Sequence, residues 1–416
     1  MAAAVECRVA HNIEPRFRVR PWNAEDLFRK HSRGCRYIDI EITRAEVLAA
    51  LRLATYQMQH LDRIPARAAI HESVELVKRA RKRSAAPFVN AILRKLSQVP
   101  RPSNGHLAAL HAASSPEAVA ETSAQPLWMV ERWFREFGVE TTKLICAHDQ
   151  SVPTTTIRLG SGGSEEELRS NKIELAPGIL LASARIVRSG DVTRTRAFRE
   201  GHIAIQDEAS QLVARLVGKG SHILDCCAAP GGKTASIADR NPTSTIIAVE
   251  LHPHRARLLR RLVRAGNVRV LAADAVRLPL VSQFDRVLVD VPCSGTGTLA
   301  RNPEIKWRLK HEDLADLQSR QLSILQSAMS HVASGGRVLY STCSLEREEN
   351  SDVVEKALAS DKSFRLLDCR HELEILQKEG ELVWKDIDSL ISGPFVRTIP
   401  GLHPCDGFFV AILEKI

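Results

Sequence analysis

The sequence predicts a multidomain protein: a helical unit at the front, a small α+β module in the middle and a doubly wound α/β domain behind. Three observations carry this. With 416 residues, 44% of them hydrophobic and 26% charged, the chain has room for two or three domains of about 150 residues, each able to bury a core. Disorder and fibrous structure are thereby excluded. Apolar residues recur at helical spacing between residues 43 and 97, and from Gly201 onward short apolar runs alternate with amphipathic segments.

Residues 1–38 carry no sustained period and no assignment. Thr43, with Glu46 three residues on, reads as a helix N-cap, and Leu48, Leu51, Thr55 and Met58 form one face of the helix that follows. A second helix starts after Pro65 and buries Ala69, Ile70, Ser73, Val74 and Val77; it runs into KRARKR (78–83), and a third spans Phe88 to Leu96. The helices end near Ser97, within a first domain taken as 1–110. Residues 100–125, rich in Pro, Ser, Ala and Asn, read as a linker with one weak helix. A middle module, 126–200, opens with a helix from Leu127 to Phe137 stopped by Gly138. It continues with the strand TTTIRL (154–159), a Gly/Ser turn at 160–164, an acidic helix start at Glu165 to Glu167 and strands within 172–187. In the last domain, 201–416, the strands are HILDCC (222–227), IIAVE (246–250), VRVLAAD (268–274), RVLVDVP (286–292) and RVLYSTC (337–343). GFFVAILEK (407–415) is a final antiparallel edge strand or hairpin partner. The helix from Arg255 to Ala265 is expected to bury Leu258, Leu259, Leu262 and Val263, with Gly266 as its left-handed stop.

The net charge is +9, and it is localised: residues 1–110 hold 20 Lys or Arg against 10 Asp or Glu. Such a surplus fits a polyanion-binding region or a solvated basic face, and charge alone leaves both open. The nine cysteines include no CxxC pair and no Cys/His cluster at zinc spacing, so neither a disulfide framework nor a metal site is expected. Free thiols, the absence of a long apolar run, and Glu6 and Arg8 where a signal peptide needs its apolar core lead to the expectation of a cytoplasmic protein without membrane attachment.

Ligands of doubly wound sheets bind beyond the carboxyl ends of the strands. There the sequence puts Cys226, Cys227 and the AAPGGKT loop, Glu250, Asp274, Asp290 with Pro292 and Cys293, and Cys343. AAPGGKT matches the end of a phosphate loop, but Cys227 stands where that motif needs its first glycine and Pro230 removes a backbone donor, which disfavours a nucleoside triphosphatase. A glycine-rich turn after the first strand followed by an acid ending the second instead suits a nucleoside cofactor, with Glu250 on the ribose hydroxyls and Asp274 near an adenine amino group. Cys293 and Cys343, 50 residues apart and both at strand ends, point to chemistry that uses two thiols without oxidation. Alkylation of pyrimidine carbon 5 is one such reaction: a thiolate first adds to carbon 6, an acid near ring nitrogen 3 absorbs charge, and a base afterwards removes the carbon 5 proton.

CAAPGGKT, DVPCSGTG, RNPEIKW and STCS followed by EREEN resemble the ordered motifs of the RNA (cytosine-5) methyltransferases of the RsmB and NSUN kind, over residues 201–416. The resemblance implies a Rossmann-like S-adenosylmethionine-dependent methyltransferase domain. Upstream, LATYQMQHLDRIPARAAIHESVELVKR and FVNAILRKL resemble the NusB-like RNA-binding domain of the bacterial RsmB branch, shortened at its front. The region from PLWMVERW is similar to that family's RRM-like module. By this resemblance Cys343 is the nucleophile, Cys293 serves proton abstraction and product release, and Asp290 contacts ring nitrogen 3 and lines the cofactor pocket. Cys227, Ala228, Ala229, Pro230, Gly231, Gly232 and Lys233 wall the methionine side of S-adenosylmethionine, with Glu250 and Asp274 on the adenosine; Lys233 also helps hold the base or Asp290. The implied substrate is small-subunit (16S) ribosomal RNA, acted on by a monomer. Transfer RNA as substrate, and a non-catalytic RNA-binding assembly or antitermination factor, stand as alternatives. KRARKR is read as a phosphate contact, the Arg255 to Arg269 face is open, Cys226 and Trp307 are read as core, and His403 and Asp406 as turn residues.

Overall fold

The computed structural model describes residues 45–61, 63–99, 105–160, 165–281 and 283–416, and the chain divides into two compact units, Met1–Gln150 and Ser151–Ile416. The Thr43 cap, the front of the first domain and residues 161–164 of the Gly/Ser turn lie outside the described residues.

In the first unit α1 (Ala45–His60), α2 (Ala66–Arg79) and α3 (Ala86–Leu96) share one core. Leu51, Ala54 and Met58 meet Ala69, Val77, Val89, Leu93 and Leu96 there, the stripe that helical spacing demands. Lys78 and Arg79 end α2, where cations complement the helix dipole, and Arg81 and Arg83 of the same basic run stay exposed. The stretch read as a linker holds two helices, α4 (Gly105–Ala112) and α5 (Pro116–Ser123). Ser115 caps α5 by accepting from the Ala118 N–H at 3.2 Å, with Pro116 at the first helical position, so the Pro/Ser composition marks a helix start rather than a loop. In α6 (Leu127–Gln150) Gly138 breaks the helix at φ 77°, as expected, and a second segment resumes behind it. This helix belongs to the first unit rather than to the sheet after it: Asp149 accepts from the Gln125 amide at 2.8 Å, and Lys143 donates to the His111 carbonyl at 2.9 Å.

The second unit opens with four antiparallel strands, β1 (Thr156–Leu159), β2 (Glu174–Pro177), β3 (Ala184–Ser189) and β4 (Ile203–Ile205), in the order β2-β3-β1-β4. α7 (Glu165–Ser170) joins β1 to β2 and α8 (Arg196–Glu200) joins β3 to β4, a split βαβ arrangement over Ile157, Leu168, Ile173, Val192, Ala197 and Ile203. Its last strand lies beyond residue 200, because Gly201 at φ 80° ends α8 and turns Ile203 back onto β1.

The large sheet runs β11 (Ile391–Ser392), β12 (Phe395–Thr398), β13 (Phe408–Lys415), β9 (Val332–Thr342), β8 (Phe284–Asp290), β5 (His222–Asp225), β6 (Thr245–Glu250) and β7 (Val268–Ala272), with β10 (Phe364–Leu367) also on β13. β5 to β9 are parallel. Buried on both faces, β5, β6 and β8 read as continuous apolar runs. Chain order reverses between β5 and β8, the switch point where a ligand cleft opens. β13 is antiparallel as expected but lies inside the sheet, covered by β9 on one side and β12 and β10 on the other. α9 (Glu208–Leu216), α10 (Gly232–Arg240), α11 (Pro253–Leu262), α13 (Asp313–Ser330), α14 (Ser351–Ser360) and α15 (Cys369–Lys378) connect the strands, with the one-turn α12 (Ile305–Arg308) before α13. α11 corrects the expectation: Ala256 and Leu259 are its buried residues, Leu258 and Leu262 are exposed, and the helix ends where Val263 turns extended rather than at Gly266. Six arginines between 255 and 269 hide which of several leucines faces inward.

Candidate active site

The parallel register of β8 and β9 sets Asp290 beside Ser341, so the segments leaving the two strands emerge side by side and carry Cys293 and Cys343 together. Their sulfurs are 3.3 Å apart and half-buried. The hydrogen bond with the Cys343 sulfur, together with burial, holds the Cys293 thiol far above its usual range, so Cys293 keeps its proton beside the Cys343 sulfur. The loops interlock through backbone: the Gly297 N–H donates to the Cys343 carbonyl at 2.9 Å, and the Gly407 N–H donates to the Gly297 carbonyl at 2.8 Å. A Cβ on Gly297 would sit 2.3 Å from the Gly407 carbonyl oxygen. Gly297→Ala is therefore expected to cost about 2–4 kcal/mol of stability, since backbone rather than a side chain must move, and thermal unfolding checks it.

Lys233, in the first turn of α10, reaches across the switch point to Asp290 at 2.8 Å, and the Ser341 hydroxyl donates to the other Asp290 oxygen at 2.7 Å. Burial alone would lower the Lys233 pKa, but the Asp290 carboxylate and the Cys343 sulfur raise it above the ordinary lysine value, so the group is a fixed ammonium. Its Nζ also stands 5.0 Å from the centre of the Phe408 ring. Behind it Asp225 accepts from the Thr234 hydroxyl at 2.7 Å, and burial raises its pKa to about 7.

The loop from Cys227 to Lys233 and the β6 end fit a nucleoside cofactor. Gly231 takes φ 115°, and a Cβ there would meet Val263 and Leu259 side-chain carbons at 2.6 and 2.7 Å, so only glycine lets the loop turn this close to α11. Glu250 is buried at the end of β6; one of its oxygens accepts from the His252 N–H at 2.9 Å, and the other takes no hydrogen bond among the described residues, an acceptor available to a diol. Asp274 is exposed just past the end of β7 and caps the next turn by accepting from the Val276 N–H at 3.0 Å. Burial drives the Cys227 and Cys226 thiols up, and Cys226 is core, as expected.

His403 is buried in a turn, accepting from the Ile399 N–H at 2.8 Å, which is the turn duty expected of it. Asp406 instead joins a clamp: Arg301 donates to Asp406 at 2.8 Å, to Asp207 at 3.0 Å and to the Thr154 carbonyl at 3.1 Å. Trp307 is no core residue; it is 53% exposed with the Lys306 ammonium 5.4 Å from its ring centre. The sequence reading also missed Glu349, a fully buried carboxylate between the two cysteine loops. The EREEN string contained it, without showing that Glu346 and Glu349 turn inward while Glu348 stays half-buried.

The model of the family described as 16S rRNA methyltransferase RsmB/F matches residues 216–414, and that of the NusB family matches residues 29–98. Over 389 residues the sequence is 32% identical to the probable ribosomal RNA small subunit methyltransferase B of Bacillus subtilis strain 168, covering 89% of this chain and 83% of that protein. The chain belongs to the RsmB/F family. A second RsmB/F relative, the ribosomal RNA small subunit methyltransferase B of Pseudomonas syringae pv. tomato, is 33% identical over 392 residues, 89% of this chain and 82% of its own. The fold is shared with a methyltransferase homologue from Pyrococcus horikoshii at TM-score 0.58 and 24% identity, covering 76% of this chain and 100% of that one. NSun6 from Pyrococcus horikoshii matches at TM-score 0.58 and 20% identity, covering 68% of this chain and 97% of the other. Membership makes residues 29–98 NusB-type, the large sheet a methyltransferase domain and S-adenosylmethionine the methyl donor of an RNA methylation. Among the described residues no helix is long and apolar enough to cross a membrane.

Proposed function

We propose that this protein methylates carbon 5 of a cytosine in small-subunit ribosomal RNA through a covalent adduct between Cys343 and carbon 6. The observation that carries the reading is the pair of sulfurs 3.3 Å apart beside the Lys233–Asp290–Ser341 chain. In this reading the Lys233 ammonium and the Cys293 S–H stabilise a Cys343 thiolate. The thiolate adds to carbon 6 while a proton delivered through Asp290, which Lys233 and Ser341 hold in place, neutralises the charge that reaches ring nitrogen 3. Carbon 5, now electron-rich, accepts the methyl group that S-adenosylmethionine supplies when bound. With Cys343 bonded to carbon 6, Cys293 gives up its own proton to solvent and then, directly or through a water it positions, removes the carbon 5 proton; ring nitrogen 3 returns its proton, the ring double bond re-forms and Cys343 leaves as thiolate. Cys227 to Lys233 would wall the methionine end of the donor, Glu250 would take the ribose hydroxyls and Asp274 would stand near the adenine. The basic run at the α2 end and the split βαβ sheet, read as an RRM-like module, supply RNA contacts outside the reacting nucleotide. The protein acts as a monomer in the cytoplasm.

The test is methyl transfer from labelled S-adenosylmethionine to deproteinised small-subunit ribosomal RNA from a strain lacking this protein, with bulk transfer RNA and DNA as parallel acceptors and nucleoside analysis of the product. 5-Methylcytosine in the ribosomal RNA is expected. Label in transfer RNA alone would replace the substrate, and donor binding without transfer to any acceptor would favour an assembly role.

A further inference from the structure

The two cysteines sit on separate loops, which meet through the Gly297 N–H and the Cys343 carbonyl and through the Leu345 N–H, which donates to the Thr296 hydroxyl at 2.9 Å. A further link, adjacent to both cysteines, is Glu349, placed by the 347–349 turn just before α14 and fully buried. One of its oxygens accepts from the Ser294 N–H at 2.8 Å and from the Gln321 amide at 2.8 Å. The other accepts from the Ser344 hydroxyl at 2.5 Å and from the Ser294 hydroxyl. Ser294 directly follows Cys293, and Ser344 directly follows Cys343. Gln321, on α13, also donates to the Pro292 carbonyl at 3.0 Å, on the other side of Cys293. The next residue, Asn350, donates to the Ser344 carbonyl at 2.9 Å and accepts from the Thr342 hydroxyl at 2.5 Å, so the Cys343 loop is held on both sides.

We infer that Glu349 is the positioning residue that sets the distance between the two catalytic sulfurs, by presenting one buried carboxylate to the residue following each cysteine. A buried carboxylate is costly unless its lone pairs are filled, and here four donors fill them. Moving either loop strands part of that set, so the sulfur separation becomes the arrangement of lowest energy rather than one of several.

The catalytic consequence rests on the two-cysteine reading above; the positioning itself does not, so the two are tested apart. Diamide takes up the two electrons and two protons released when the Cys293 and Cys343 thiols close to a disulfide, and peptide mass spectrometry of that link reads their proximity without RNA. Glu349→Gln keeps acceptor and donor capacity, since both serine hydroxyls can rotate to accept from an amide, and is expected to close the disulfide within about threefold of wild type. Glu349→Ala strands the loops and is expected to slow closure by at least about tenfold and kcat by about 100-fold, with KM for RNA little changed. Should Glu349→Ala not fold, Ser294→Ala combined with Ser344→Ala removes both hydroxyl donors to Glu349, together with the acceptor of the Glu346 N–H, and is expected to slow closure about fivefold. Closure at the wild-type rate in the alanine variants overturns the inference. Ordered closure rates together with no 5-methylcytosine from the wild type would leave the positioning standing and sink the proposed function.

Discussion

Cys343→Ala is expected to abolish methyl transfer, by at least about 10⁴-fold in kcat, because no other group can add to carbon 6 and a cytosine without that addition does not alkylate at carbon 5. Cys293→Ala is expected to fail differently. Cys343 still has the Lys233 ammonium nearby, so the adduct forms and carbon 5 is methylated. With the neighbouring sulfur gone from its place 3.3 Å away, the carbon 5 proton is not removed and the enzyme stays bonded to its RNA. The observable is a band of protein plus RNA that survives denaturing electrophoresis and disappears on nuclease treatment, in Cys293→Ala and not in Cys343→Ala. Adduct from Cys343→Ala and none from Cys293→Ala would reverse the two roles; adduct from neither would remove covalent catalysis from the account. Donor binding measured alongside should be within about threefold of wild type in both variants, since neither sulfur lies among the residues proposed to hold S-adenosylmethionine.

The sheet and the positions of the two cysteines were legible because strands buried on both faces leave continuous apolar runs, and the residues that follow such runs stand at one edge. Parallel register then did the rest: Asp290 and Ser341 are partners, so whatever follows each must meet. Legibility failed where several residues compete for one role. In α11, three leucines and four arginines fit more than one helical face, and the burial of Leu259 over Leu258 was settled by the strands beneath it. Trp307 lies on a one-turn helix too short to have a periodic face at all. Glu349 was hidden for a related reason: the 347–349 turn offers Glu348 and Glu349 in succession, and only the neighbouring loops decide which is buried. Where α4 and α5 stand, only one weak helix was expected, because Ala, Ser and Pro serve linkers and helix starts alike, and the capping bond of Ser115 separates the two.

Lys233 and Asp290 are largely buried, and their pairing separates stability from catalysis. Lys233→Met leaves the Asp290 carboxylate with the Ser341 hydroxyl alone, and is expected to cost about 2–4 kcal/mol of stability, somewhat less than a fully enclosed pair because both groups keep some solvent. The expected loss in kcat is about 10²–10³-fold, since the ammonium that favours the Cys343 thiolate and orients Asp290 is gone. Lys233→Met combined with Asp290→Asn removes the stranded charge, so most of the lost stability is expected to return while activity falls further. The sign of the pH effect follows from the raised Lys233 pKa: the pair stabilises the fold throughout the range below the ordinary lysine value and the contribution disappears as pH rises through the higher folded value. Wild type should therefore show no loss from this pair between neutrality and moderately alkaline pH. In Asp290→Ala the main raising influence is absent and burial is opposed only by Cys343 and Asp225, so Lys233 should lose its proton at lower pH and the alkaline limb of kcat should move toward neutrality. Thermal unfolding of the single and double variants, with pH profiles of single-turnover methyl transfer, measures both. Recovery of activity along with stability in the double variant would show that Lys233 serves the fold and has no part in activating Cys343.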